Sequence, residues 1–262
     1  MAEQAAKRTD WARWITIAAL LFGIGGVAAA LISAVGAGQG AWHFRGAFTV
    51  LRYAFFAAIA GAVLGLVGLV AARRARKAKL MLPNLLAVVV ALAFVLFLGT
   101  QIRTARSVPA IHDVATNLED LPQFTKLSVR PDNLEKVPDM DRPDLKALAP
   151  EARWKAIHRE SYGDLRTIRV PMNPQDAIRR AAALARSRGW TIALEDPYRG
   201  LLEATDTSTF FRFKDDVVVR ARSAPGGGSE VDMRSISRVG GSDVGVNAKR
   251  VRAFLADLQS QG

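Results

Sequence analysis

Three long apolar runs fill the first hundred residues, and the hydrophobic period changes twice after them. The runs lie at 15–35, 53–72 and 80–98. Each is near the ~20 residues that a helix needs to cross ~30 Å of hydrocarbon. The second and third carry no polar face. They predict three membrane-spanning helices within residues 1–100. Trp11, Trp14 and Trp42 lie near span ends, where indole rings favour the interface. A removable signal peptide has a shorter apolar core, so the first run reads as a retained span.

Residues 101–163 have no such period. Six of the eleven prolines fall between positions 107 and 150, and proline fixes φ and lacks a backbone donor. An extended segment is expected, draped over the domain that begins at residue 164. One short helix, 150–161, starts on Pro150 and ends before Gly163.

From residue 164 the pattern alternates between strand and helix. The stretch 165–170 reads as a strand. Asn173-Pro174-Gln175-Asp176 opens a helix that runs to Ser187 and stops at Gly189. Trp190, Ile192 and Leu194 alternate, Asp196 to Gly200 is turn chemistry, and 201–205 is a further strand. In the next hairpin Val217, Val219 and Ala221 share a face with Val231 and Met233. Arg220, Arg222, Asp232, Arg234 and Arg238 take the other. One register that pairs like faces sets Arg222 opposite Asp232 and Arg220 opposite Arg234. A closing helix, 246–259, carries Val251, Phe254, Leu255 and Leu258 on one stripe. The order is β-α-β-β-β-β-α, and the expected class is α+β. Three transmembrane helices precede a two-layer domain, 164–262, with a mostly antiparallel sheet. Its arginine-bearing face is either open or covered by the proline-rich segment.

Charge adds orientation. The formal charge is +12. Residues 1–100 hold 10 Lys+Arg and 2 Asp+Glu, a balance of +8, against 26 and 22, or +4, in the remainder. The excess flanks the apolar runs, so it bears on topology and argues against nucleic acid as a partner. Arg73, Arg74, Arg76, Lys77 and Lys79 crowd the turn between the second and third runs. The positive-inside rule places that turn in the cytoplasm, together with the N-terminus and its Lys7, Arg8 and Arg13. Everything after the third run is then outside. No acid lies in any span, which disfavours an ion-coupled transporter. Gly61 and Gly65 form a GxxxG pair suited to dimerisation or, in the plainer reading, to packing among the three spans. There is no cysteine, which excludes disulfides, thiol nucleophiles and thiolate metal sites.

The candidate chemistry centres on Arg234-Ser-Ile-Ser-Arg-Val-Gly-Gly-Ser-Asp-Val-Gly-Val-Asn247. Ser242 or Asp243 can cap the last helix. Arg238 beside a helix N-terminus could also hold an anion. In the plainer reading Asp243 caps, Asn247 bonds the turn and Arg238 pairs with an acid. The glycine and lysine spacing is not that of a nucleotide-binding loop. His112-Asp113 and His158 are too few and too far apart for a metal site. A triad of Ser237, His158 and Asp113 has no support in spacing. Asp215-Asp216 reads as a solvated turn near Arg212 and Lys214. No cofactor and no metal is expected.

Several of these pieces carry a resemblance. Phe-Arg-Phe-Lys-Asp-Asp-Val at 211–217, the 234–247 stretch and the helix after it resemble the domain-of-unknown-function family numbered 1499. Val-Pro-Ala-Ile-His-Asp at 108–113 and Leu-Pro-Gln-Phe at 121–124 resemble its opening segment. The resemblance spans residues 107–258 and implies a bacterial envelope protein. It supplies no reaction and no catalytic residue. It implies that His112, Asp113, Asp215, Asp216, Arg234, Ser237, Arg238, Ser242, Asp243 and Asn247 come together in the fold. The expectation is a multi-pass inner-membrane protein with a periplasmic domain. That domain would be a non-catalytic binding or interaction module using Arg220, Arg234, Ser237, Arg238, Ser242, Asp243, Asn247, His112 and Asp113. Its partners would be the bilayer and an anionic lipid, a cell-wall component or an envelope protein. The alternative is a membrane-anchored envelope hydrolase built from His112, Asp113, Ser237 and Asp243.

Overall fold

A computed structural model describes residues 2–135 and 137–260, with side chains from Trp11 onward. The side chains of Lys7 and Arg8, which bear on orientation, lie outside the described residues. Contacts divide the chain into two compact units. The first runs to Arg103 and takes in Thr209–Arg212; the second begins at Thr104.

The first unit holds α1 (Ala2–Leu20), a π-helical segment (Leu21–Gly25), α2 (Gly26–Gly38), α3 (Phe44–Arg74) and α4 (Met81–Ser107). They make three continuous helical stretches, Trp11–Gly38, Phe44–Arg74 and Ala78–Ser107. Each is long and apolar enough to cross a membrane. Small residues set the spacing. A Cβ on Gly61 would lie 2.2 Å from the backbone nitrogen of Gly23, inside the π-helical segment. A Cβ on Gly65 would meet Val88 at 2.6 Å. The GxxxG pair therefore packs α3 against its own neighbours.

The third span does carry a polar residue. Asn84 is fully buried, and its Nδ2 donates to Thr16 Oγ1 and to Leu80 O, both at 2.8 Å. Gly68 leaves it room, since a Cβ there would stand 2.1 Å from Asn84 Oδ1. One amide thus joins α1 to α4 where hydrocarbon offers no other partner.

The second unit is built on a six-stranded antiparallel sheet. Its elements are β1 (Asp113–Ala115), α5 (Pro143–Lys146), α6 (Pro150–Tyr162), β2 (Ile168–Val170), α7 (Pro174–Ser187), β3 (Thr191–Asp196), β4 (Leu201–Thr207), β5 (Lys214–Ser223), β6 (Ser229–Ser237) and α8 (Val246–Ser260). The strand order is β1-β6-β5-β4-β3. β2 also pairs with β6, so β1 and β2 lie end to end along the same edge. From β2 onward the element order is the one expected. The additions are β1 and the one-turn helix α5, both from the proline-rich segment. β1 is three residues long, too short for alternation to reveal.

The hairpin register differs from the expected one. Arg220 faces Asp232, Arg222 faces Glu230, and Arg234 faces Val218. The shift is by two residues, which preserves both faces. The loop length chose between registers that alternation treats as equal. Val217, Val219, Ala221, Val231 and Met233 form the inner face. α7 and α8 cover it, with Trp190 stacked on Phe254 at 5.1 Å. The opposite face is covered by the proline-rich segment.

Candidate functional site

Two polar clusters form because β6 alternates. Ser235 and Ser237 point to the helix side of the sheet, and Asp232, Arg234 and Arg238 to the other. Residues that are neighbours in sequence therefore serve different clusters.

On the outer face, Arg234 and Asp113 make a two-pronged pair, Nε–Oδ1 at 3.0 Å and Nη2–Oδ2 at 2.7 Å. Their side chains are 6% and 1% exposed. Asn133 Nδ2 donates to the same carboxylate at 2.6 Å. That bond sets the amide's orientation, so its Oδ1, 3.1 Å from His112 Nε2, accepts from the imidazole. Arg238 grips Asp216 with Nε at 2.7 Å and Nη2 at 2.8 Å, and also reaches Thr205. Asp216 holds the Arg238 guanidinium above its ordinary pKa. Asp232 is fully buried beneath Arg220 and Arg222, 3.0 and 3.1 Å away, and the hydroxyls of Thr116 and Thr167 also donate to it. Asp120, on the covering segment, takes the same two arginines from outside.

Glu203 fastens the covering segment. It sits on central strand β4 with no exposed surface. Thr125 N, Thr125 Oγ1 and Leu127 N donate to it at 2.6, 2.7 and 2.7 Å, and Lys126 N reaches both of its oxygens. Burial pushes its pKa up, but the donors outweigh burial and hold it below the ordinary carboxylate value.

On the helix side, Asn247 is fully buried and joins three elements. Its Nδ2 donates to His112 O at 2.9 Å and to Ser237 Oγ at 3.0 Å, while Ser235 Oγ donates to its Oδ1 at 2.6 Å. Arg250, one helical turn on, ties Asp206 and Asp215 at 2.9 and 2.7 Å and also donates to Asn247 Oδ1. At the start of α8 an anion is indeed held, and it belongs to the chain. Asp243 accepts Gly245 N at 2.8 Å and Asn247 N at 2.7 Å. Burial raises its pKa. Ser242 Oγ accepts Val244 N at 3.2 Å.

The edge of the sheet is closed by side chains. β1 has a partner strand on one side only, leaving Asp113 O and Ala115 N facing away. Trp154 Nε1 donates to the first at 2.9 Å, and His158 Nε2 accepts from the second at 3.2 Å. Residues four apart on α6 thus meet groups two apart on a strand, and these two groups of the free edge are satisfied.

The residues singled out in the sequence therefore divide between the two faces. His112, Asp113, Arg234 and Arg238 take part in the outer cluster; Ser237, Asn247 and Asp243 line the helix side. Both groups meet at one end of the sheet, where Ser237 N donates to His112 O and Asp243 N to Ile111 O. Arg220 lies farther along β5, with Asp232. The cavity at the junction, lined by His112, Asp113, Asn133, Leu134, Val137 and Trp154, encloses about 10 Å³, room for one water at most. No group of three or more His, Asp or Glu among the described residues is placed to hold a metal ion. The residues missed were Glu203, Asn133 and Trp154. Glu203 left only a faint signal, an acid between Leu202 and Ala204 in a strand that also holds Thr205, Asp206 and Thr207.

Residues 113–258 match the profile of the family described as "Protein of unknown function (DUF1499)". The chain belongs to this family. The matched region begins at β1 and ends within α8, so it takes in both polar clusters and the covering segment. No curated protein matches the chain.

Proposed function

We propose that the chain is an inner-membrane protein whose sheet domain stands in the periplasm. There it acts as a non-catalytic binding or interaction module for an anionic envelope ligand or an envelope protein. The observation that carries the non-catalytic reading is that each group a hydrolase would need is bonded elsewhere. Ser237 Oγ accepts from Asn247, His112 donates to Asn133, and His158 accepts from Ala115. Catalysis needs a nucleophile and base within hydrogen-bond reach beside a space for substrate.

The binding surface centres on Arg238, whose side chain is 41% exposed, against 15% for Arg220 and 6% for Arg234. Lys214 lies alongside, its carbonyl accepting Arg238 N, and Arg130 reaches Gly240 O. Of the other residues named as ligand-binding, His112, Asp113, Arg234, Ser237, Ser242, Asp243 and Asn247 gather at this end of the sheet, and Arg220 does not. Orientation follows from the basic turn between α3 and α4.

Two experiments test the reading. The chain lacks cysteine, so Tyr198→Cys and Lys77→Cys each give one label site. A maleimide that cannot cross the inner membrane should label the first in intact spheroplasts and the second only after lysis. The reverse pattern would overturn the orientation. In a thermal screen of the full chain, one class of anion should raise the midpoint in a salt-sensitive way. Arg238→Ala should lose that shift while keeping its own melting transition.

A further inference from the structure

The basic end of the membrane unit carries a large excess of positive charge: the stretches 1–13 and 73–79 hold eight Lys+Arg against Glu3 and Asp10. No Asp or Glu stands between Asp10 and Asp113, while Arg73, Arg74, Arg76, Lys77 and Lys79 share one short turn. The sheet unit is built the other way, its outer-face arginines each held by a carboxylate of the chain.

Beside that turn, α1 and α3 leave a groove of about 640 Å³. Trp11 and Arg74 mark one end, and Ile15, Leu66, Val67 and Val70 line its length. Trp11, Leu66, Val67 and Val70 are 70%, 52%, 46% and 52% exposed. In a spanning helix that surface meets lipid. From Arg74 to Leu66 the helix rises about 12 Å, the distance from the interface well into hydrocarbon. The wall is cationic and aromatic where a headgroup sits, and apolar where an acyl chain lies.

We propose that this groove is a seat for one acidic glycerophospholipid, with its phosphate at Arg74 and an acyl chain along Ile15, Leu66, Val67 and Val70. The five cations select the acidic headgroup, because the N-terminal stretch brings Lys7, Arg8 and Arg13 along with its two acids, Glu3 and Asp10, and so leaves the excess of positive charge in place. The groove then distinguishes a seated lipid from a diffuse cloud. The site is independent of the sheet domain's role and of which membrane face the turn occupies.

The test uses the full chain in mild detergent with equimolar phosphatidylglycerol and phosphatidylcholine, read by native mass spectrometry. One phosphatidylglycerol should be retained preferentially. Arg74→Gln should reduce that retention several-fold. Val70→Trp, which fills the groove without changing charge, should do the same. Arg103→Gln, which removes a cation far along the chain from the groove, should leave it unchanged. Equal retention of the two lipids would mean ordinary annular contact and would overturn the proposal. Retention by Val70→Trp equal to wild type would overturn it too, leaving only an unseated charge effect. A melting transition matched to wild type shows that each variant is folded.

Discussion

His158 accepts the backbone N–H of Ala115 at 3.2 Å, so an imidazole lone pair stands in for the strand that β1 lacks on its outer side. The bond requires the neutral ring. Burial pushes the His158 pKa from 6.5 down to about 4. The folded value lies below the unfolded one, so the unfolded chain takes up the proton first as pH falls. The contribution is complete above about pH 6.5 and is lost progressively between 6.5 and 4, by about 3 kcal/mol. The melting midpoint of the full chain should fall through that window. His158→Phe should start lower and flatten the slope. An unchanged slope in the variant would assign the pH response to other groups.

Removing either member of the Arg234–Asp113 pair leaves a buried charge unpaired. Arg234→Met or Asp113→Leu should each cost about 3–5 kcal/mol. The double variant Asp113→Leu, Arg234→Met should cost much less than the sum, because no charge is stranded. Thermal unfolding of the four proteins measures the coupling. Strict additivity would show that the pair does not act as a unit.

Glu203 is the fastening for the covering segment. Glu203→Gln removes charge-assisted bonds worth about 1.5–3 kcal/mol, which should raise the released population roughly ten- to a hundredfold. Lys126, exposed on that segment, should then be cut faster by trypsin while the sheet stays intact. The Glu203 pKa is depressed, so its contribution is present above its ordinary value of 4.5 and is lost as pH falls through the lower folded value. Trypsin resistance of the variant equal to wild type would place the fastening elsewhere.

Asp243 accepts two backbone donors at the start of α8. Asp243→Ala should cost about 0.5–2 kcal/mol. Asp243→Asn keeps an acceptor and should cost less. Equal losses in the two melting curves would mean that the charge, rather than the hydrogen bonds, matters.

In the membrane unit an ideal Cβ on Gly26 lies 3.2 Å from Ala57 Cβ, close to disulfide geometry. Gly26→Cys with Ala57→Cys should crosslink on mild oxidation. Adding Gly61→Leu, which drives a side chain into the Gly23 backbone, should lower the yield by separating the first helical stretch from α3. An undiminished yield would show that the small-residue contact does not set the spacing.

Much of the fold was readable from local pattern. The three spans follow from apolar length, the α7 start from Asn173-Pro174 capping, and the apolar stripe of α8 and the two faces of the β5–β6 hairpin from periods of 3.6 and 2.0. Asn173 Oδ1 does accept Asp176 N, at 2.9 Å. What escaped were the long-range partners. β1 has three residues and pairs with a strand more than a hundred positions away. Asn133 and Glu203 are inconspicuous until Asp113 and Thr125 stand beside them.

The sequence by itself determined that the chain has three apolar spans and an α+β sheet domain, because burial in lipid imposes an unbroken apolar length and burial in a core imposes a period, and any single stretch displays either one. It also determined which family the chain belongs to. Only the tertiary structure decided which arginine meets which carboxylate. A register shift of two residues leaves every face unchanged, so alternation is blind to it, and the loop and packing choose. Only the fold, likewise, decided that the anion at the start of α8 is Asp243 and that His112 and His158 are spent on Asn133 and on the edge of β1.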